Sequence, residues 1–172
     1  MIGIERLSAP QAQPRLAALT DLLRGCVADD ASVGFIDAAD RQAIERFWQD
    51  KIYSLASGDN QLLVAWQQGV IVATVMVGYS AMPNGRHRAE ISKLLVHPGA
   101  RRQGIARRLM QQAEQLVVER GKTLLVLDTR SGDVATDLYL SMDWQVAGSI
   151  PYYAESTEWV LDATTVMYKW LG

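Results

Sequence analysis

Leu94-Leu95-Val96-His97-Pro98-Gly99-Ala100-Arg101-Arg102-Gln103-Gly104-Ile105-Ala106-Arg107-Arg108-Leu109 runs an apolar strand through a basic, glycine-bearing turn straight into a helix. That order builds an anion site. The first turn of a helix leaves backbone N–H groups without intrahelical partners and carries the positive end of the helix dipole, so a diphosphate docks there on main-chain donors. Gly104 lets phosphate approach the backbone, Ala106 keeps the first turn open, and Arg101, Arg102, Arg107 and Arg108 make the mouth positive.

Two other phosphate loops are excluded. Gly99 and Gly104 have the glycine spacing of a P-loop, but Ile105-Ala106 stands where Lys-Ser/Thr belongs, and no Gly-x-Gly-x-x-Gly fingerprint occurs. Gly121-Lys122-Thr123 fails because Leu116, inside a helix, holds the position of the first loop glycine, and because a strand follows it. What remains, Arg101-x-x-Gly104-x-Ala106, resembles the Gln/Arg-x-x-Gly-x-Gly/Ala signature of the GNAT acetyltransferase superfamily. A second segment, Asp133-Val134-Ala135-Thr136-Asp137-Leu138-Tyr139-Leu140-Ser141-Met142-Asp143-Trp144, is similar to that superfamily's Ala-x-x-Phe-Tyr-x-x-x-Gly-Phe element. Ala135, Leu138, Tyr139 and Trp144 fall in register, and the motifs span residues 60 to 150.

Outward from this centre the elements follow hydrophobic period. Ile105, Leu109, Met110, Ala113, Leu116 and Val117 share one face of a helix from Gly104 to Arg120. The continuous apolar run Leu124-Leu125-Val126-Leu127 reads as a strand covered on both sides. With the strand Ala89 to His97 this makes a β-α-β unit, hence a parallel pair with a right-handed crossover. Upstream, the pattern predicts a strand at Ile2–Leu7, helices over 12–28 and 38–56, and a hairpin of strands 62–66 and 70–77 about Gln67-Gln68-Gly69. Met82 to Arg86 reads as a surface loop. Downstream come a short helix from Asp133 to about Met142, a strand Trp144–Ile150, an aromatic loop Pro151–Asp162 and a strand Thr164–Leu171. Together these give an α/β fold, a mixed sheet with helices on both faces. The resemblance implies the GNAT version of it: seven strands, mostly antiparallel, with a central parallel pair.

The chain's 172 residues suffice for one domain, 1–172, with a substantial core. Hydrophobic residues at 49% and charged residues at 21% are a globular balance, and a net charge of −2 excludes a basic nucleic-acid binder as a whole. Cys26 stands alone, so no intrachain disulfide forms, and no run of 18 apolar residues or signal-peptide pattern occurs. The expectation is a cytoplasmic protein with no membrane partner. His87 and His97, the only histidines, lack metal-ligand spacing, so no metal is expected.

The resemblance implies acetyl-CoA as co-substrate. Its diphosphate would lie on the backbone amides of Arg102, Gln103, Gly104, Ile105, Ala106 and Arg107, with Arg101 opening the motif, and its pantetheine arm beside Leu94, Leu95 and Val96. Acetyl transfer to an amine needs a neutral amine, a stabilised oxyanion and a proton for the departing thiolate. Tyr139, in the motif tyrosine position, is the implied general acid. Glu90 opens one parallel strand and Asp128 ends its neighbour, so either carboxylate is a candidate base. Their structural alternatives are an ion pair of Glu90 with Arg86, Arg88 or Lys93, and a cap by Asp128 on the turn that follows it. Main-chain N–H of Leu94 or Leu95 is the oxyanion donor. Many superfamily members place an asparagine seven residues before the motif tyrosine; Gly132 holds that place here, leaving the Ser131–Val134 backbone or Asp133 to substitute.

On the acceptor side, Ala31-Ser32-Val33-Gly34-Phe35, Pro83-Asn84-Gly85, Arg88-Ala89-Glu90, Leu127-Asp128-Thr129 and Pro151-x-Tyr153-Ala154 resemble the tabtoxin-resistance acetyltransferases. That likeness implies a small amino-acid-like amine as partner, a toxin or antibiotic included, contacted by Val33, Phe35, Asn84, Tyr152 and Tyr153. Loop 32–36 also reads as a hydrophobic plug under the second helix, and Tyr152, Tyr153 and Trp159 read either as a lid or as a homodimer interface. A transferase for peptide or protein amines, and a catalytically silent CoA-binding domain, are the alternatives in function.

Overall fold

A computed structural model describes all 172 residues. Seven strands form one sheet: β1 Ile2–Leu7, β2 Asn60–Gln67, β3 Val70–Tyr79, β4 Arg88–Val96, β5 Leu124–Arg130, β6 Gln145–Glu155 and β7 Leu161–Trp170. Their order is β1-β2-β3-β4-β5-β7-β6, and only β4 and β5 run parallel. The helices are α1 Ala9–Ala12, α2 Leu16–Ala28, α3 Arg41–Ser54, α4 Ile105–Glu119 and α5 Val134–Ser141. The expected mixed, mostly antiparallel sheet is present.

Two cores flank the sheet. Leu62 and Val64 face α2 and α3, meeting Leu19, Leu23, Ile44 and Trp48, while Leu63 and Ala65 face α4 and meet Leu109, Met110 and Ala113. This alternation is the period-two signature of a strand covered on both faces. It breaks once in β4: Ala89 and Ile91 pack on the α4 side, then Leu94 and Val96 do, while Leu95 faces α2. An odd-to-even switch requires one inserted residue, and the β3–β4 register shifts between Thr74 and Met76 opposite Ser92–Leu95. Lys93 supplies the bulge, with φ 50°, and the Thr74 hydroxyl donates to its carbonyl at 2.9 Å.

Three elements differ from the sequence expectation, each for a local reason. The helix expected over 12–28 is divided. Ser8 and Gln11 form a capping box on the single turn α1, and Pro14 lies in a 3-10 turn, Gln13–Arg15, before α2 starts. β5 runs on to Arg130 because Asp128, Thr129 and Arg130 pair with Val166, Thr165 and Thr164. Most of the aromatic loop expected at 151–162 is strand: β6 passes through Pro151, which the sheet's outer edge tolerates because no neighbour needs its missing N–H. Bulges between Val146 and Gly148 and between Ile150 and Ala154 absorb the irregularity.

The apolar stripe of α4 contains one charge. Glu114 is buried there and pairs with Lys169 of β7 at 2.5 Å. No helix is long and apolar enough to cross a membrane.

Candidate active site

The loop after β4 is built from local caps. His97 Nδ1 accepts the Gly99 N–H at 2.9 Å, and the Ala100 N–H reaches the His97 carbonyl at 2.8 Å. The chain then turns through two left-handed residues, Arg102 at φ 62° and Gly104 at φ 74°. A left-handed arginine costs about 1 kcal/mol, a strain tolerated where the turn must present its amides. Gly104 caps α4 with no side-chain hydrogen bond, and a Cβ there would meet nothing within 4 Å. The first intrahelical bond is Arg108 N–H to the Gly104 carbonyl, so the N–H groups of Ile105, Ala106 and Arg107 precede the ladder. Open space, free donors and exposed arginines fit a diphosphate.

The arginines divide the work. Arg101 pairs with Asp29 at 2.5 Å, Arg107 donates to the Ser141 hydroxyl at 2.8 Å, and Arg108 reaches the Ile2 carbonyl at 3.2 Å. Gln103 accepts from Gln67 at 2.8 Å. Arg102 alone has no side-chain partner. Cys26 lies behind this loop, its thiol donating to the Val96 carbonyl at 3.6 Å, and burial pushes that thiol's pKa up. It is held away from nucleophilic chemistry.

β4 and β5 pair only at Arg88–Leu124, Ala89–Leu125 and Glu90–Val126. Beyond Val126, β5 pairs with β7 alone, and beyond Glu90, β4 pairs with β3 alone. Strand Ile91–Val96 therefore has a free backbone edge, which suits an extended, amide-bearing arm docking as an added strand beside Leu94, Leu95 and Val96.

Where the strands part lies a shallow, open cavity of about 190 Å3, lined by Glu90, Val126, Leu127, Asp128, Ile150, Tyr153, Thr164 and Val166. Both candidate bases and Tyr153 thus share one wall. Glu90 is exposed and forms no ion pair with Arg86, Arg88 or Lys93. Asp128 accepts the Thr164 hydroxyl at 2.8 Å across the β5–β7 ladder, and caps no turn. A second, partly open cavity of about 230 Å3 is lined by Ala31–Ile36, Arg130 and Ala154–Thr157. Val33 and Phe35 line it, and Phe35 also packs edge-on against Phe47 of α3 at 5.5 Å. Lining and plug are one and the same loop. Arg130 joins the walls, reaching Asp133 and the Asp30 carbonyl at 2.9 Å each, and Thr157 hydrogen-bonds Asp30.

Tyr139 is 6% exposed, its ring 5.9 Å from Trp144. Burial first, and Asp133 second, push its pKa up to about 12. It holds its proton at neutral pH. Asn84 lies exposed in a 3-10 turn and lines neither cavity. Tyr152 is 75% exposed and Trp159 71% exposed, and neither lines them. In place of the family asparagine, Gly132 turns with φ 85°, and the Asp133 carboxylate is engaged by Arg130. Thr164, Ile150 and Arg130 complete the cavities unforeseen from sequence. A threonine pair at 164–165 inside an apolar strand was the one available signal, since buried hydroxyls seek partners.

Comparison with known proteins gives consistent results. The sequence profile described as the acetyltransferase (GNAT) family matches residues 20–144. The fold is similar to a ribosomal-protein-alanine N-acetyltransferase from Brucella melitensis, with 20% identity, TM-score 0.79, and 98% of this chain and 99% of that one covered. It is similar to yncA of Salmonella typhimurium, solved with its cofactor acetyl-CoA, at 19% identity and TM-score 0.79 over 100% and 95% of the two chains. An N-acetyltransferase from Staphylococcus aureus Mu50 superposes with TM-score 0.82 at 16% identity, over 100% and 99%.

Proposed function

The chain belongs to the acetyltransferase (GNAT) family, which makes it an acetyl-CoA-dependent N-acetyltransferase, and on that premise we propose that it acetylates the amine of a small amino-acid-like molecule by direct attack. The observation that carries this reading is the meeting of Glu90 and Asp128 in one small cavity where β4 and β5 part. A carboxylate there receives the proton of the acceptor ammonium. Backbone N–H of Leu94 or Leu95 steadies the oxyanion as the amine nitrogen bonds to the acetyl carbon. Tyr139 gives its proton to the sulfur as the carbon–sulfur bond breaks, and is re-protonated from solvent.

Residues 1–172 act as one domain, and the reaction calls for no metal. The small-molecule acceptor, within the class a tabtoxin-resistance enzyme would take, is favoured by cavities of about 190 and 230 Å3. Val33 and Phe35, lining the larger cavity, and Tyr153, lining the smaller, are its contacts, while Asn84 and Tyr152 line neither and fall outside this set. A cytoplasmic location suits the single unpaired Cys26. The exposed edge strand β6, bearing Val146, Ile150 and Tyr152, is the surface on which a homodimer would pack.

Thiol release from acetyl-CoA by the purified protein, read against amino acids, dipeptides, polyamines, aminoglycosides and a tabtoxinine-type lactam, tests the reading. Turnover on small α-amino compounds supports it. Turnover confined to peptide amines would move the acceptor to the protein class named for the Brucella neighbour, and tight CoA binding with no turnover would leave a binding domain.

The cofactor loop has its own test. Gly104→Val forces a β-branched residue into a left-handed position and fills the space above the first-turn amides. Calorimetry on the folded variant is expected to show acetyl-CoA affinity reduced at least roughly 30-fold, two to three lost charge-assisted contacts being enough. Unchanged affinity would remove the diphosphate from this loop.

A further inference from the structure

Lys93 and Lys51 flank a single aromatic ring. Their ammonium groups stand 5.0 and 5.7 Å from the centre of Phe47. Neither has a carboxylate within 4.0 Å, and neither donates a hydrogen bond to the protein. Each ammonium is attracted to the ring face, but the two like charges repel and a half-buried ammonium gives up hydration, so the pair carries positive charge that no ion pair offsets and that suits a negative guest. The elements around Lys93 show the same imbalance. Burial, and then Lys51, lower its pKa, while Asp128 and Glu90 act oppositely and more weakly.

The position of Lys93 is as informative as its charge. As the bulged residue of β4 it leaves the alternation of the strand, with its carbonyl fixed by Thr74. Its ammonium comes up behind Gly34, a lining residue of the larger cavity, where a Cβ would sit 3.8 Å from Nζ. A Cβ at Gly34 would meet only this ammonium, which itself lines neither cavity. Glu90 and Asp128, the carboxylates of the smaller cavity, are near enough to act on its charge. The site thus has adjacent poles: carboxylates that attract an ammonium, and a lysine in no ion pair that attracts an anion.

Resting on the small-amine reading above, we propose that Lys93, supported by Lys51, binds a carboxylate of the acceptor, so that the substrate class is a zwitterionic amino acid whose amine faces Glu90 and Asp128. Lys93 is then a specificity-determining residue. It takes no part in bond making and selects which amine is presented.

The test compares free α-amino acids with the same amino acids as carboxamides, both as acceptors with acetyl-CoA and, by calorimetry, as ligands of the CoA-saturated enzyme. The wild type is expected to prefer the free acid at least tenfold in kcat/KM. Lys93→Met should abolish that preference through KM for the acid, Lys93→Arg should retain it, and Lys93→Glu should reverse it. Equal use of acid and amide by the wild type, equal loss of both in Lys93→Met, or no calorimetric binding of the free acid would each overturn the proposal. Acetylation of peptide amines untouched by Lys93→Met would overturn it and leave the transferase standing. If no amine is acetylated, the transferase reading fails, and the calorimetric acid-to-amide ratio alone decides the role of Lys93.

Discussion

Replacing Tyr139 by Phe is expected to lower kcat by roughly 10²- to 10⁴-fold, the range lost when a positioned general acid is removed. The fold gives reasons to expect this loss without a stability penalty. The ring is packed beside Trp144 in the core under α4, so Phe keeps the apolar contacts. The hydroxyl makes no hydrogen bond within the protein, so its removal strands no partner, and the change in unfolding free energy should stay within about 1 kcal/mol. Because burial lifts the hydroxyl's pKa to about 12, the wild-type donor stays protonated across the working pH range and sets no alkaline limb below about pH 10. Steady-state kcat with a calorimetric Kd for acetyl-CoA checks this: turnover falls and affinity holds. Turnover equal to wild type would take the acid role from Tyr139.

Glu90→Gln is expected to cost roughly 10²- to 10³-fold in kcat/KM at neutral pH, and Asp128→Asn only about tenfold. The asymmetry comes from partners. Both are exposed on the cavity wall, but Asp128 Oδ2 accepts the Thr164 hydroxyl, whereas the Glu90 carboxylate has no hydrogen-bond partner in the protein. A diagnostic sign accompanies the magnitude. The base is needed only while the acceptor is an ammonium, so the deficit of Glu90→Gln should shrink as pH approaches the acceptor's own pKa, about 8 for an α-amino group and about 10.4 for a lysine-type amine. A pH profile of kcat/KM for the variant against wild type reads this directly. A constant deficit at all pH values would assign Glu90 to binding.

The centre of the fold was legible because its signals are local. The strand, Gly104 and the amphipathic face Ile105–Val117 announce themselves within one window, and the β-α-β order dictates a parallel pair. The join of Glu90 and Asp128 followed from the same pair, since both lie on those strands. What escaped notice depends on tertiary context. Pro151 signals a loop, yet at the sheet edge its missing N–H costs nothing, and β6 continues. The bulge at Lys93 reveals itself only through which face Leu94 and Leu95 take, and that requires knowing both cores. Thr164 and Arg130 reach the cavities across 36 and 100 residues of chain, to Asp128 and Asp30, a separation no spacing pattern encodes.

Asp29 and Asp30 follow one another directly after α2, their Cα atoms about 3.8 Å apart as in any trans peptide. Asp29 grips Arg101 of the diphosphate loop, while Asp30, turned left-handed at φ 65°, meets Arg130 and Thr157 of the larger cavity. One planar peptide unit is therefore a common anchor for both candidate sites. The two loops are thus tied to adjacent residues of one short segment, so that the distance between their attachment points is set by a single peptide unit.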